Sequence, residues 1–408
     1  MRWLPHLEVS YCTNVHPGEG LDALQRQITQ DIPIVKSLVS PHQSFGSGLR
    51  IGAETLQAFQ SAPLTLNQFT QQMKENDIYL FSVNGFPYGD FAAPCVKETV
   101  YSPDWSTSRR VDYTLALAQF MSNMPGPSIR SISTVAGGFI PNNINLKSHD
   151  DQFRVRFGDL AQGLYELEEE TGISVRIALE PEPWTRLERI EQVPSFFEEV
   201  VWPSSPYASK YIGLCYDTCH QALAFEDPIT SWRSLVTHQV PIYKVQISNA
   251  LSLKDPKNDV ARAQLLSFAE PRYLHQVTAL TPDGRLLRAL DLPTLEPLST
   301  EWLDALEWRC HFHVPIWWHE TNNANSANSD LSDELCTTYQ HWREIATLIR
   351  DPNAQPHTQT DHPLHVEVET YSCHVLPDHL KSQRGLHDEI KRELEALKST
   401  LMNRSISA

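Results

Sequence analysis

The sequence is poor in glycine, in paired cysteines and in long apolar runs. Only 16 of its 408 residues are glycine, against 28 prolines and 17 histidines. The seven cysteines are scattered and contain no CxxC pair, which argues against a disulfide framework and a structural zinc knuckle. No stretch approaches the roughly 18 uninterrupted apolar residues of a membrane span, and MRWLPHLEVSYCTN lacks the apolar core of a signal peptide. We therefore expect a cytoplasmic protein that is not embedded in a membrane.

Positive charge is also scarce. The chain has 33 Lys and Arg residues against 50 Asp and Glu residues, a net charge of −17. Because affinity for nucleic acid depends largely on Lys and Arg displacing counterions, this balance argues against a nucleic-acid partner. Hydrophobic residues make up 41% of the chain and charged residues 20%, so a substantial core can form and intrinsic disorder is excluded. The length allows two or three domains, or one barrel with insertions.

Strand-like and helix-like segments alternate along the chain, the pattern of parallel βα units. In residues 153–167 the apolar side chains recur at helical spacing, and Gly172 follows as a C-terminal cap. Within the strands, large apolar residues alternate with small or polar ones, as in a closed barrel whose interior is polar. The pattern predicts an α/β fold, a (βα)8 TIM barrel, with strands in residues 7–14, 48–52, 78–85, 130–135, 174–180, 211–217, 243–248 and 364–371.

The regular rhythm breaks after the seventh strand. Residues 250–330 are predicted to form an insertion over the barrel mouth, with a β-hairpin that turns at Asp283-Gly284. The run CHFHVPIWW (310–318) belongs either to this insertion or to the barrel itself. A helix is expected over 331–349, and a C-terminal helical extension over 378–404, where apolar residues from Ile390 to Leu401 share one face. We predict a single TIM-barrel domain over residues 1–408.

Carboxylates stand where several predicted strands end, which is where the active site of a (βα)8 barrel lies. Alone, each one could cap a helix or pair with an arginine. Together, on matching strand positions, they favour a site for Mn²⁺, Mg²⁺ or Zn²⁺. Glu369 lies nearer its strand end than Glu367 and is preferred. The candidate metal ligands are Glu180, Asp217, Gln246 and Glu369. Glu182 and His220 are candidate catalytic residues. Glu182 could also be a simple loop acid, and His220 could be a metal ligand, a substrate contact or an ordinary loop imidazole.

At these positions the sequence resembles the xylose isomerase-like, or sugar-phosphate isomerase/epimerase, superfamily of TIM barrels, which also includes the endonuclease IV type of AP endonuclease. The resemblance implies metal binding by Glu180, Asp217 and Glu369 and a place for His220 near the substrate. The seventh strand commonly carries a histidine ligand in that superfamily, whereas this chain has Gln246. His311 and His313, on one face of their strand, are candidates to supply the missing nitrogen.

A second resemblance spans most of the chain. It rests on seven segments: YCTNVHPGE (11–19), VNGFPYGDF (83–91), SISTV (131–135), YDTCH (216–220), RYLHQ (272–276), HFHVPI (311–316) and VEVETYS (366–372). Together they look like the EboE family of metabolite traffic proteins. The resemblance implies a role in moving a biosynthetic precursor out of the cytoplasm, together with membrane proteins of an export system.

Several polar and aromatic residues of these segments follow predicted strands and are candidates to contact a substrate: Asn14, His16, Asn84, Tyr88 and His275. A loop with amides and aromatic rings can wall a pocket, and equally it can be a rigid turn over the barrel rim.

These observations favour a metal-dependent protein acting on a small polar metabolite. By resemblance the chemistry is isomerisation or epimerisation next to a carbonyl, with Glu182 or His220 moving the proton. The alternative is a metabolite carrier without turnover. Cleavage of DNA is a third hypothesis, which the net charge disfavours.

Overall fold

The computed structural model describes residues 1–140, 146–295, 297–318, 334–354, 362–381 and 384–402. One sheet contains nine strands, of which all but the short β1 form a parallel array. The strands before the insertion are β1 (Arg2–Leu4), β2 (Leu7–Tyr11), β3 (Phe45–Arg50), β4 (Ile78–Asn84), β5 (Ile129–Val135), β6 (Ser174–Glu180), β7 (Ile212–Asp217) and β8 (Ile242–Ile247). The insertion contains β9 (Asn249–Leu253), β10 (Val277–Leu280), β11 (Leu286–Ala289), β12 (Glu307–Val314) and β13 (Leu335–Thr337), and β14 (Leu364–Val368) follows it.

The parallel strands close into a barrel. Strand β14 pairs with both β2 and β8, and the order then runs from β8 back to β3. A parallel bridge between Cys12 and Gly48 joins the two ends of this array. Cys12 directly follows β2, and Gly48 lies within β3. The predicted (βα)8 barrel is therefore confirmed, with its eight strands in the predicted segments.

The α-helices are α1 (Leu21–Arg26), α2 (Ile32–Val39), α3 (Ala53–Ser61), α4 (Pro63–Glu75), α5 (Ser108–Ser122), α6 (Leu146–Thr171), α7 (Val193–Phe196), α8 (Ala208–Tyr211), α9 (Thr218–Leu223), α10 (Pro228–Thr237), α11 (Asp259–Leu266), α12 (Thr300–Leu303), α13 (Tyr339–Ile349) and α14 (Leu386–Met402). Helix α6 shows how the sequence specifies them. The side chains from Phe153 to Leu167 that recur at helical spacing are buried, and Gly172 follows with a φ of +70°, the left-handed conformation of a helix cap. Among the described residues, no helix has the length and apolarity needed to cross a membrane.

The insertion after β8 forms its own antiparallel sheet, in the order β11-β10-β12-β9-β13, over a second hydrophobic core. Strands β10 and β11 form the predicted hairpin, and Gly284 has a φ of +82° in its turn. The 310–318 run contributes to β12, so it belongs to the insertion and not to the barrel. The helix predicted over 331–349 is wrong in its first part: residues 331–333 lie outside the described residues, and Leu335–Thr337 form β13, because pairing with β9 outweighs local helical spacing.

The barrel interior is polar, as the strand alternation predicts. At mid-height Lys244 Nζ lies 2.7 Å from Glu367 Oε2, and neither side chain is exposed to solvent. Lys244 also donates to Ser133 Oγ at 3.1 Å. Gly48 makes room for this pair, because a Cβ at position 48 would overlap the Glu367 carboxylate. The charges are therefore held in one arrangement, directly beneath the carboxyl ends of the strands.

The C-terminal helix α14 packs on the barrel through the predicted apolar face, with Ile390, Leu394, Leu397 and Leu401 buried. Its Glu393 is also buried, and its Oε1 accepts hydrogen bonds from Thr370 Oγ1 at 2.6 Å and from the Ile316 backbone N–H at 3.1 Å. Burial raises the pKa of Glu393 to about 8.

Substitution Glu393→Gln is expected to flatten the pH dependence of stability. Because the folded-state pKa of Glu393 is raised, its contribution is fully present below the ordinary pKa of about 4.5 and is lost as the pH rises to about 8. By pH 8 the loss is on the order of 4 kcal/mol. Urea unfolding at pH 5 and pH 8 measures it: the variant should be the more stable protein at pH 8 only. Equal slopes against pH for both proteins would contradict the assignment.

Candidate functional site

Three imidazoles converge at the carboxyl ends of the barrel strands. His220 comes from α9, directly after β7, whereas His311 and His313 come from β12 of the insertion. The Nε2 atoms are 3.1 Å apart for His220 and His311, 3.0 Å for His311 and His313, and 3.3 Å for His220 and His313. All three side chains are buried. Strand alternation explains part of this geometry, because residues 311 and 313 lie on one face of β12.

The opposite ring nitrogens show which tautomers are present. His311 Nδ1 lies 2.6 Å from Gln276 Oε1, and His313 Nδ1 lies 2.9 Å from the Glu369 carbonyl oxygen. Both partners only accept hydrogen bonds, so each Nδ1 carries the proton and each Nε2 presents a lone pair. Two lone pairs 3.0 Å apart in a buried site repel each other unless a proton or a cation lies between them.

The donor set fits a metal ion. Imidazole nitrogens that bind zinc tetrahedrally at about 2.0–2.1 Å are separated from one another by about 3.3–3.4 Å, close to the separations found here. Burial lowers the pKa of His220 to about 3 and that of His313 to about 4, and it lowers the pKa of His311 well below its ordinary value. The rings are therefore neutral at physiological pH, which is the form that ligates a metal.

A group of three carboxylates adjoins the three imidazoles: Glu180 ends β6, Asp217 ends β7 and Glu369 follows β14. One oxygen from each lies within 4.8 Å of the others, and Asp217 is also within this distance of His220 and His313. Asp217 Oδ1 caps α9, accepting from the backbone N–H groups of Cys219 and His220 at 2.7 and 2.9 Å. Among the described residues, Asp217 Oδ2 and Glu180 Oε2 have no hydrogen-bond donor.

These carboxylates need a positive charge. Burial raises the pKa of Asp217, and it raises the pKa of Glu180 well above its ordinary value, with further contributions from Glu369 and Asp217. Burial together with Asp217 also raises the pKa of Glu369 to about 8. Since three adjacent buried carboxylates cannot all be ionised without compensation, they must share protons or be neutralised by a cation.

Gln246 and Glu369 face each other. The Gln246 amide N–H donates to Glu369 Oε2, and its Oε1 accepts from Cys215 Sγ at 2.7 Å. Asn14 and Asn84 each donate to Glu369 Oε1 at 2.8 Å. Gln246, predicted as a metal ligand, thus holds Glu369 in place through its amide N–H. The amide oxygen of Gln246 faces Cys215. Asn14 and Asn84, predicted as substrate contacts, bind the same carboxylate.

Glu182 lies on the other side of the imidazoles. Its Oε1 accepts a hydrogen bond from Tyr101 OH at 2.8 Å and lies 3.5 Å from His311 Nδ1. Gln276 in turn donates to the Tyr101 hydroxyl at 2.8 Å. Burial raises the pKa of Glu182 to about 8. Tyr101 and Gln276 were not among the predicted residues: Gln276 lies within the RYLHQ segment, while nothing in the sequence marks Tyr101.

Aromatic side chains enclose the cavity between these groups. It measures about 60 Å³, and its lining includes Phe91 of the loop after β4, Tyr273 of the insertion and Tyr371. The Phe91 and Tyr273 ring centroids are 4.8 Å apart, and Tyr371 packs on His313 at 4.6 Å. These rings give the site an apolar wall beside its charged groups.

The remaining predicted residues lie outside this cavity. His16 contacts Tyr11 OH at 2.8 Å and lines a neighbouring cavity of about 350 Å³ that also includes Asn14. Tyr88 packs on Tyr113 at the rim, with ring centroids 5.0 Å apart. His275 supports β12, because its Nδ1 lies 3.0 Å from the His311 carbonyl oxygen.

Fold and site together define a (βα)8 barrel with a candidate metal centre at its carboxyl end. No family model and no curated protein matches the chain. Among solved structures, a xylose isomerase-like TIM barrel protein from Mycobacterium smegmatis in complex with magnesium has a TM-score of 0.51 and 10% identity, with 98% of each chain covered. The IolI protein with a bound zinc atom has a TM-score of 0.47 and 8% identity, over 98% of this chain and 100% of that one. A xylose isomerase domain-containing protein from Salmonella typhimurium has a TM-score of 0.37 and 12% identity, over 99% and 100%. The likeness to the Mycobacterium smegmatis protein shows that the chain shares the xylose isomerase-like TIM-barrel fold.

Proposed function

We propose that this protein is a metal-dependent enzyme that isomerises or epimerises a small polar metabolite at a carbon next to a carbonyl. One observation carries the proposal: the three Nε2 atoms of His220, His311 and His313 meet within 3.3 Å of one another, beside three buried carboxylates at the carboxyl end of the barrel. The resemblance to the sugar-phosphate isomerase/epimerase superfamily supports the reaction class.

His220, His311 and His313 would hold the metal, with Asp217 adjoining. Three imidazoles favour zinc, whereas the neighbouring carboxylates also suit Mn²⁺ or Mg²⁺. When bound, the ion would polarise a carbonyl oxygen of the substrate and stabilise the negative charge that develops on it. His220, predicted from the sequence as a catalytic residue, is thereby proposed as a ligand. Gln246 takes a supporting role, because its amide orients Glu369.

Glu182 is proposed as the group that moves the proton. Its pKa of about 8 allows it to take and return a proton near neutral pH, which is the condition for efficient general acid–base catalysis. Tyr101 orients it through the 2.8 Å hydrogen bond. Phe91, Tyr273 and Tyr371 line the same cavity as Glu182 and provide an apolar wall against which a substrate can pack.

Substitution Glu182→Gln is expected to lower kcat by about 10²- to 10⁴-fold while the metal content stays unchanged. Activity would be followed by NMR in deuterated water, as exchange of the carbon-bound proton in a panel of aldoses, ketoses and their phosphates. Glu393→Gln is the matched control, because Glu393 is also a buried acid with a pKa raised to about 8 but lies outside the cavity. Equal turnover in Glu182→Gln and wild-type protein would refute the assignment of Glu182.

A metabolite carrier without turnover is the second candidate. Two observations favour it: an amide, Gln246, occupies the position of the superfamily's seventh-strand histidine, and the amides of Asn14, Asn84 and Gln246 already occupy both oxygens of Glu369. The EboE resemblance adds a role in metabolite export from the cytoplasm, in contact with membrane proteins. Chromatographic separation followed by mass spectrometry of the small molecules released on denaturation distinguishes the candidates, since a carrier returns an added metabolite as a single unchanged isomer and an enzyme returns a mixture of isomers.

A further inference from the structure

A second and larger cavity lies at the opposite end of the barrel. It measures about 600 Å³ and is lined by the first residues of β5, β6, β8 and β14, so the whole height of the barrel separates it from the three imidazoles. Its volume lies within the range typical of sites for small molecules, about 300–1,000 Å³. The polar side chains of its lining include Arg176, Lys210, Ser131, Ser209 and His365.

Arg176 brings a buried positive charge to this cavity. Its guanidinium lies 5.5 Å from the ring centroids of both Tyr211 and Tyr243 and donates one hydrogen bond, to the Lys210 carbonyl oxygen. Within the described part of the chain no carboxylate pairs with it, and its Nε–H has no acceptor. Because a guanidinium has five N–H donors, Arg176 retains donors for a ligand.

Two other buried arginines have more hydrogen-bond acceptors than Arg176. Arg110 donates to the carbonyl oxygens of Pro103, Gly85 and Phe86. Arg130 likewise donates to those of Pro127, Met121 and Met124. Three carbonyl contacts each compensate for the burial of these two side chains, whereas Arg176 has one, in a protein whose net charge is −17.

His365 is a second polar side chain of the cavity wall. It is 2% exposed, and its Nδ1 lies 2.7 Å from Ser131 Oγ. Its Nε2 is buried and has no hydrogen-bond partner among the described residues. The ring is therefore part of the wall, and we assign it no contact with a ligand.

The acidic residue of the lining is already neutralised. Glu168 Oε1 lies 2.8 Å from Lys210 Nζ, and its Oε2 accepts a hydrogen bond from Tyr211 OH at 2.8 Å. The net charge that remains at the cavity is therefore the positive charge of Arg176. A planar guanidinium with free donors, together with serine hydroxyls, matches the acceptor oxygens of a phosphate or carboxylate.

We propose that the cavity at the amino-terminal end of the barrel binds the oxyanion group, phosphate or carboxylate, of a small polar metabolite. The site is independent of the metal centre and of the proposed reaction. Arg176 holds the oxyanion, and the 600 Å³ volume accommodates the rest of the molecule. An anionic metabolite in this cavity can be bound at the same time as a substrate at the carboxyl end of the barrel.

Calorimetric titration of inorganic phosphate and of acetate into the metal-loaded protein tests the proposal, with sodium chloride keeping the ionic strength constant. We expect saturable one-to-one binding that weakens at least tenfold in Arg176→Gln and is unchanged in Arg156→Gln, a surface control. Tighter binding of phosphate identifies a phosphoryl ligand and tighter binding of acetate a carboxylate. Absence of binding of both anions at 20 mM, roughly the weakest affinity such a contact gives, overturns the proposal.

Two further variants separate this site from the metal centre and from misfolding. His313→Ala must retain phosphate binding, because loss of it there places the anion at the metal centre and overturns the proposal. If Arg176→Gln does not fold, Lys210→Gln replaces it: this exposed change leaves Glu168 without its cation, so the anion should bind several-fold more weakly. Unchanged affinity in Lys210→Gln then counts against the site. Anomalous diffraction from crystals soaked in tungstate gives the location directly, with a peak expected beside the Arg176 guanidinium.

Discussion

Replacing His313 by alanine is expected to remove the metal ion from the protein and to abolish turnover. His313 contributes one of three Nε2 atoms that lie within 3.3 Å of one another, and its ring is fixed by the Glu369 carbonyl. Since loss of an outer-shell partner alone reduces metal affinity 10- to 100-fold, loss of a ligand should reduce it by more than about 100-fold. Elemental analysis of the dialysed protein measures the metal bound per chain.

The control is His238→Ala, because His238 lies on the surface at the end of α10 and its ring contacts the Ser234 carbonyl. It should retain full metal content and activity. A His313→Ala protein that binds metal as tightly as the wild type would rule out the three-imidazole site. If Asp217→Ala were then the variant that loses the metal, the carboxylate cluster would be the true centre.

Replacing Lys244 by methionine is expected to destabilise the fold by about 3–5 kcal/mol, because it leaves the carboxylate of Glu367 buried without its partner. Burial alone would lower the pKa of Lys244, but Glu367 together with Cys12, Cys215 and Glu369 outweighs burial, and the pKa is raised above its ordinary value. The charged pair is therefore the stable state of the barrel interior. Urea unfolding at pH 7 measures the loss of free energy.

The double variant Lys244→Met/Glu367→Met is the decisive comparison. Because replacing both members of a buried pair by apolar groups of similar shape is often neutral or stabilising, the second substitution should restore most of the stability. Losses that add in the double variant would show that the two residues do not interact. The metal content of the double variant also shows whether the positive charge of Lys244 affects metal binding at the carboxyl ends of the strands.

The barrel could be predicted from the sequence because its signal is local. Each strand places large residues outward and small or polar residues inward, so Glu180, Asp217 and Glu369 could be assigned to strand ends without knowledge of any contact. The same alternation put His311 and His313 on one face. These predictions depend only on neighbours along the chain.

What could not be predicted depends on contacts between distant segments. Strand β13 (Leu335–Thr337) was predicted as helix because its pairing with β9 is invisible in a local pattern. The hydrogen bond of Tyr101 to Glu182 joins a loop to a strand end 81 residues further on. The meeting of His220 with His311 depends on how the insertion sheet docks, and no spacing rule describes that.

The origin of the three imidazoles also bears on how the chain folds. His220 belongs to the barrel, whose helices and strands share one hydrophobic core, while His311 and His313 belong to a sheet with a core of its own. An ion held by all three would act as a cross-link that closes a loop of 91 residues between His220 and His311. Such a closure removes conformational entropy from the unfolded chain. It would also tie the insertion sheet to the barrel, so the metal-loaded protein should unfold at a higher temperature than the metal-free protein.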